Sequence, residues 1–187
     1  MSLLKLEKFI QEIQVHLIQT HSKIFDWFLE EEAVKNYRPK DNGWTIVEIL
    51  EHIALTSHFL LILIDKGAEK ALRNVKGLSL DKLIEEFDYD VDKLSNIGMH
   101  KSFSWMRPEH MKPTGTKSEF EIQQEMVAQI NRCLLQLESL KNGEGLRHTT
   151  MMSVNELGKI NVYEYIYFLS KHGERHIQQM IENRNEF

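Results

Sequence analysis

The spacing of apolar residues predicts a long amphipathic helix over about residues 3–33. Apolar side chains recur there every three or four positions, which places them on one helix face: Leu6, Ile10, Ile13, Leu17, Ile24 and Trp27. Pro39 and Asn42-Gly43 then supply the residues of a turn. The first helix is therefore expected to end before a short connection.

A second helix has a clear predicted start. Thr45 and Glu48 form the pattern of a capping box, and Trp44 and Ile49 occupy the two positions of a hydrophobic staple. We expect this helix to run to about Lys66 and to stop at Gly67. Its apolar residues lie on two sides, so neighbours should cover both of them. This helix is expected to be central to the fold.

Residues 68–117 show the least regular pattern. One short helix is expected after Ser79, and the rest is predicted to be an irregular connection. A long connection in a small domain often forms a lid or a pocket wall. Phe103, Trp105 and Met106 are aromatic and apolar enough to pack over a site. The simpler alternative is a loop that these side chains pin to the helices.

Two further helices complete the prediction. The third begins at a capping box of Ser118 and Glu121, and its apolar stripe is read as Phe120, Val127, Ile130, Leu134 and Leu137. The last begins at Asn161, with Glu164 at the capping position, and continues to about Asn183. No stretch shows strand alternation or a glycine-rich phosphate loop. The prediction is an all-α four-helix bundle, one domain over residues 1–187, with a long connection between the second and third helices that leaves room for a crossover.

Composition narrows the range of partners. The 187 residues carry a formal net charge of −5 and show no cluster of Lys and Arg, so we expect no nucleic-acid partner. The apolar run from Phe59 to Ile64 is too short to span a bilayer, so we expect no membrane partner. Cys133 is the single cysteine and fits a reducing compartment. With no apolar signal core at the N-terminus, a cytoplasmic protein is expected.

Two histidines in the last helix are the leading chemical feature. His172 and His176 lie four residues apart on the inward stripe, so both can face one cation. His52, on the inner side of the second helix, is the best candidate for a third ligand. His58 is rotated from it by about 240° along a helix. Spacing alone leaves open whether these histidines bind a metal or are hydrogen-bonded core residues.

Two motifs resemble one known family. The stretch from Trp44 to Ala54, which contains His52, resembles the second-helix motif of the DinB/YfiT-like metalloenzymes. The stretch from Gly158 to Tyr165, continuing to His172 and His176, resembles the last helix of that family. The resemblance implies a four-helix bundle in which these three histidines bind a divalent metal, commonly zinc or nickel. It also implies frequent homodimers, and some relatives are thiol S-transferases or thiol-dependent isomerases.

Two hypotheses on function follow. Three neutral imidazoles leave a bound dication at full charge with a fourth position for water, thiol or substrate. The first hypothesis is a metal-dependent transferase or hydrolase that acts on a small molecule, through a low-molecular-weight thiol. The alternative is a non-enzymatic binding protein with a structural or vestigial metal site. An accessible pocket at the metal would favour the first hypothesis.

Glu174 and Arg175 are expected to point away from the site, and Cys133 to lie in the core.

Overall fold

Three of the four long helices begin at residues whose side chains cap free backbone N–H groups. The computed structural model describes residues 2–104 and 108–187. Its long helices are α1 (Ser2–Asp26), α3 (Ile46–Val75), α6 (Glu119–Ser139) and α7 (Val162–Glu186). The side chains of Thr45, Ser118 and Asn161 accept hydrogen bonds at the starts of α3, α6 and α7 in complete capping boxes. These three predicted starts are confirmed.

Shorter elements connect the long helices. They comprise α2 (Glu32–Lys35), α4 (Asp81–Glu85), α5 (Val91–Ile97) and single 3-10 turns at Trp27–Leu29, Glu109–Met111, Glu144–Arg147 and Val154–Glu156. Between α6 and α7, strands β1 (Thr149–Met152) and β2 (Gly158–Asn161) form an antiparallel hairpin in which Thr149 pairs with Asn161 and Met152 with Gly158. The described chain is thus mainly helical, and the predicted all-α fold class is confirmed.

Two apolar clusters reveal the directions of the helices. One cluster joins the end of α1, the starts of α3 and α6, and the end of α7, through residues such as Ile24, Ile49, Ile122 and Met180. The other cluster joins the opposite ends of the same helices. It follows that α3 and α6 run parallel to each other and antiparallel to α1 and α7. The connection between α3 and α6 is therefore a crossover along the length of the bundle.

The central helix is longer than predicted. It continues past Gly67 to Val75, so the expected stop at Gly67 is wrong. Gly67 instead allows a close approach, because a Cβ there would lie 3.3 Å from Val162 Cγ2 of α7. At this length α3 is apolar enough to cross a bilayer, but 61% of its most apolar window is buried inside the fold. Such burial is typical of the core helix of a soluble protein.

Residues 68–117 are more ordered than predicted. The first eight extend α3, and α4 is the short helix expected after Ser79. The structure adds α5, which begins where the Asp90 side chain accepts the backbone N–H of Lys93. The prediction that the rest of this region is irregular is therefore wrong for residues 68–75 and for α5. Trp105 and Met106, two of the three residues proposed to cover a site, lie outside the described residues.

Other predicted boundaries also change. The first helix ends at Asp26, and residues up to 33 continue as a 3-10 turn and the start of α2. On α6, Phe120 is 69% exposed and Val127 40% exposed, so the predicted stripe is wrong at these positions. The residues of α6 that are buried are Ile122, Met126, Cys133 and Leu137. The β hairpin was missed because strands of four residues are too short to show alternation.

The stability of the fold is expected to depend on pH through Glu164, at the start of α7. Burial raises the pKa of Glu164 to about 7, although its carboxylate also accepts the backbone N–H of Asn161. Because the folded state binds this proton more tightly than the unfolded state does, protonation of Glu164 stabilises the fold. This contribution is fully present below the ordinary pKa of 4.5. That stability is lost as the pH rises through 7.

We expect Glu164→Gln to remove much of this pH dependence, because glutamine keeps the capping acceptor but cannot ionise. Urea unfolding at about pH 5 and about pH 8 should show a smaller stability difference for the variant than for the wild type. Glu121→Gln, at the exposed capping box of α6, is the matched control and should leave the difference between these two pH values unchanged. An equal difference in wild type and Glu164→Gln would contradict the prediction.

Candidate metal centre

Three histidines meet between the two apolar clusters. His52 comes from α3, and His172 and His176 come from adjacent turns of α7. One ring nitrogen from each lies within 4.8 Å of the others. The Nε2 atoms of His172 and His176 are 3.1 Å apart, and all three side chains are buried. The structure thus brings together all three residues proposed from the sequence.

Hydrogen bonds orient two of the rings. The Nδ1–H of His52 donates to the carbonyl oxygen of Met111 at 2.7 Å. His176 Nδ1–H donates to Gln179 Oε1 at 2.9 Å. Because Nδ1 carries the proton in each ring, the lone pair is on Nε2 and is directed at the cluster. Partners of this kind fix the tautomer of histidines that bind metals.

Burial favours the neutral form of two of these imidazoles, those of His172 and His176. Burial holds the pKa of His172 and of His176 well below the ordinary value, and the neighbouring imidazoles lower both further. A neutral ring is the form that donates a lone pair to a cation. His172 and His176 therefore have the protonation state of metal ligands.

The donor set fits a divalent transition metal. Two nitrogens bound to one tetrahedral zinc at about 2.0–2.1 Å are about 3.3 Å apart. The 3.1 Å between the Nε2 atoms of His172 and His176 is close to that separation. Without a shared proton or cation, two lone pairs would face each other at this distance. Imidazole nitrogens suit zinc and nickel, whereas magnesium and calcium prefer oxygen.

The other histidines have different surroundings. His58 is exposed on α3, and His21 is buried with its Nδ1–H donating to the carbonyl of Leu17. His16 contacts Ser170 and lies 3.1 Å from Glu174 Oε2. His100 borders the same cavity as the three clustered histidines, which its position in a connecting segment gave no means of predicting. The exclusion of His58 from the ligand set agrees with its exposed position.

A cavity of about 800 Å³ adjoins the cluster and is open toward solvent. Its wall includes all three clustered histidines. Thr56, Gln179 and Arg175 add polar groups. The apolar part of the wall comes mainly from Trp44, Leu60, Met111, Met152, Tyr165 and Phe168. A small organic molecule could therefore enter and reach the histidine nitrogens.

Arg175 does not point away from the site, and that prediction is wrong. It is 8% exposed and lines the cavity, where its guanidinium donates to the carbonyl oxygen of Met99 at 2.5 Å and lies 5.6 Å from the centre of the Phe103 ring. Glu174 does face outward, as expected, and its side chain is 41% exposed. Its carboxylate pairs with Lys171 at 2.9 Å.

Glu51 ties the long connection to the helix that carries His52. Its carboxylate is buried and accepts three hydrogen bonds, from the backbone N–H and hydroxyl of Thr114 and from the N–H of Gly115. Three residues earlier, the Met111 carbonyl accepts the proton of His52. Glu51 therefore holds in place the segment that orients one of the clustered imidazoles.

Cys133 belongs to the core, as predicted. Its side chain is fully buried in α6, and burial raises the pKa of the thiol to about 12. A thiol of such high pKa carries almost no thiolate near neutral pH. Cys133 is therefore not a nucleophile for chemistry at the histidine cluster.

Replacing Glu51 by alanine should weaken metal binding without removing a ligand. Loss of the three hydrogen bonds frees Met111 from its position, and zinc affinity should fall about tenfold, the usual scale for partners that orient ligands. Zinc affinity is measured by competition with a coloured chelator. Glu51→Gln keeps one acceptor oxygen and should lose less, while exposed Glu69→Ala on the same helix should lose nothing. Wild-type affinity in Glu51→Ala would rule out this role.

Comparison with known proteins assigns the chain to a family. Residues 29–180, most of the chain and all three clustered histidines, match the model of the DinB superfamily. Searches of curated proteins and of solved structures gave no match. The match agrees with the helical fold and with the two motifs around His52 and His176. This protein belongs to the DinB superfamily.

Proposed function

We propose that this protein is a divalent-metal-dependent enzyme that transfers a low-molecular-weight thiol to a small electrophilic molecule. The observation that carries the proposal is the position of the three-histidine cluster in the wall of an open cavity. A metal site with a purely structural role is normally closed by protein ligands. Among the described residues the cluster has three members, which is the number typical of catalytic zinc sites.

Each part of the site has a proposed role. His52, His172 and His176 would hold zinc or nickel, and Met111 and Gln179 keep the rings of His52 and His176 oriented. When bound, the dication supplies a Lewis acid that favours the deprotonated form of a thiol. In the transfer itself, the thiol sulfur bonds to an electrophilic carbon, the leaving group departs with its electron pair, and the thiol proton passes to solvent.

The chain supplies no thiol of its own for this reaction. Cys133 is buried with a raised pKa, so the sulfur must come from a small molecule that enters the cavity. This favours transfer of a soluble thiol over a mechanism with a cysteine nucleophile. Hydrolysis, in which water replaces the thiol, uses the same groups and would release the leaving group of the acceptor without loss of free thiol.

A non-enzymatic role with a structural metal is the alternative. The fold is not arranged around the metal, because large apolar clusters lie on both sides of the histidines. A chain of this length buries enough surface to fold without a metal. The cytoplasmic location, the small-molecule substrate and the homodimer also remain proposals, based on the single cysteine, the cavity and the family.

Metal analysis tests the site directly. After saturation with zinc and dialysis, the wild type should retain about one zinc ion per chain. His176→Ala removes a ligand, and we expect affinity to fall more than about 100-fold, beyond the effect of losing an orienting partner. His58→Ala, an exposed histidine on α3, is the matched control and should bind like the wild type. No retained divalent metal in the wild type would disprove the site.

Removing the metal with a chelator distinguishes a catalytic role of the metal from a structural one. If the metal is catalytic, the chelated protein should keep its far-ultraviolet circular dichroism while losing transfer activity, and added zinc or nickel should restore that activity. Activity is measured as loss of free thiol, with glutathione, bacillithiol and mycothiol as donors and a chlorodinitrobenzene as acceptor. Unfolding on chelation would instead support the structural role. Metal-loaded protein that is inactive with all three thiols would contradict thiol transfer.

A further inference from the structure

The cavity beside the histidines follows the groove between α3 and α7. On α3, the wall residues that come after His52 are Thr56, Leu60 and Leu63. On α7, the wall residues that come before His172 are Tyr165 and Phe168. Steps of three and four residues keep each set on one helix face. Because the two helices are antiparallel, Leu63 and Tyr165 lie at the same end, where both also border a small neighbouring cleft. The cavity is therefore elongated along the helix axes, with the histidines toward one end.

The wall changes from polar to apolar along this length. Beside the histidines it includes Gln179 and His100. At the other end Leu60 and Phe168 are joined by apolar residues of the β hairpin region, namely Met151, Met152 and Val154. The described part of the wall holds no charged side chain at this far end. The hydroxyl of Tyr165 donates there to the carbonyl oxygen of Met151 at 3.2 Å, so both polar groups are already paired. The far end is therefore suited to an apolar group.

Two apolar side chains at the far end are exposed although they border the cavity. Leu63 is 41% exposed and Met151 is 63% exposed, whereas Leu60, Met152 and Phe168 are buried. Covering exposed apolar surface is favourable, and a ligand that enters the cavity is in a position to cover both side chains. The buried residues then form the floor beneath the ligand, and the exposed ones form its rim.

The helix geometry sets the length of a group that would fill this end. From His52 to Leu63 the axis of α3 advances about 16 Å, and from His172 to Tyr165 the axis of α7 advances about 10 Å. A fully extended chain advances about 1.2 Å per bond. A span of this length corresponds to a chain of about eight to thirteen bonds. A compact molecule held at the histidines would leave the apolar end unfilled.

We propose that the end of the cavity bordered by Leu63, Met151 and Met152 binds an unbranched apolar chain of about eight to twelve carbons, carried by the electrophilic acceptor. The inference rests on the proposed function for the role of this molecule as the acceptor, but not for the binding of the chain. Low-molecular-weight thiols such as glutathione are polar, so the chain belongs to the acceptor. Its reacting carbon lies at the histidines, and the chain extends along the groove away from them.

The test measures how affinity depends on chain length. The probes are straight-chain alkyl hydroxamates of four, six, eight, ten and twelve carbons, whose common head group binds zinc. Calorimetry on zinc-loaded wild type should show affinity rising about two- to fourfold for each added methylene. The eight-carbon probe should therefore bind at least about tenfold more tightly than the four-carbon probe.

Variants at the far end test where the chain lies. Leu63→Gln places an amide against the end of the chain, so affinity for the twelve-carbon probe should fall at least about fivefold. The four-carbon probe is too short to reach Leu63 and should bind as it does to the wild type. Leu72→Gln is the matched control, because Leu72 is also a leucine of α3 with 41% exposure but is not among the described residues of the wall. It should behave like the wild type at every length. Met151→Gln, at the exposed rim, is the second variant and should act like Leu63→Gln.

Equal affinities across the series in the wild type would overturn the subsite, and so would undiminished affinity for the twelve-carbon probe in both Leu63→Gln and Met151→Gln. A loss in these variants that is the same for four and twelve carbons would also contradict it. The series is repeated on metal-free protein, where affinity should still rise with chain length. Failure of the wild type to retain zinc would disprove the metal-dependent function but leave this metal-free series valid, so the two failures are distinguishable.

Discussion

The axial register between α3 and α7 is the constraint on which the site depends. These antiparallel helices contribute one and two of the clustered histidines, so a shift of one residue along either axis would separate the nitrogens by about 1.5 Å. Gly67 fixes the register at one end, because its missing side chain admits Val162. At the other end, the buried amide of Asn183 donates to the carbonyl of Trp44 at 2.7 Å, immediately before the cap of α3. The histidines lie between these two contacts, which keep the distances between their ring nitrogens fixed.

The crossover segment completes the centre. Glu51, His52 and Arg175 each bond to a backbone group of the segment from Met99 to Gly115. On α3, Glu51 directly precedes His52, which is itself one of the clustered histidines. On α7, Arg175 directly precedes His176. The position of this segment is therefore coupled to the orientation of the imidazoles. Because α3 and α6 run parallel, the chain has to pass along the bundle at this point, and this topology brings Met99 beside Arg175 and Met111 beside His52.

Local patterns were enough to predict the parts of this structure that depend on nearby residues. Capping boxes are formed by residues three positions apart, so Thr45, Ser118 and Asn161 could be assigned from the sequence. The convergence of His52 with His172 and His176 followed from the family motifs, since spacing alone left it open. The end of α3 could not be predicted, because Gly67 is explained by Val162, about 95 residues later. The buried face of α6 was ambiguous because apolar residues occupy two of its sides.

The prediction for Arg175 was wrong because it followed the polarity of the residue and not its angle on the helix. Glu174 is rotated by about 200° from His172 and does face outward, whereas Arg175 is only about 60° from His172 on the other side. That rotation is compatible with the edge of the histidine face, and the structure places the side chain there. A charged residue between two metal-ligand candidates was assigned to solvent by its polarity, while its angle indicated the cavity wall. His100 offered no such signal, because its position depends on how the crossover folds.

Charge in the cavity connects the metal centre with the choice of ligand. Acidic ligands in a metal site reduce the charge of a bound dication, whereas the three neutral histidines here preserve it. The described part of the wall includes no carboxylate, so under the proposed function a deprotonated thiol would be the group that offsets the charge of a dication at the histidines. The same electrostatic arrangement would favour the nucleophilic form of a thiol in the proposed reaction.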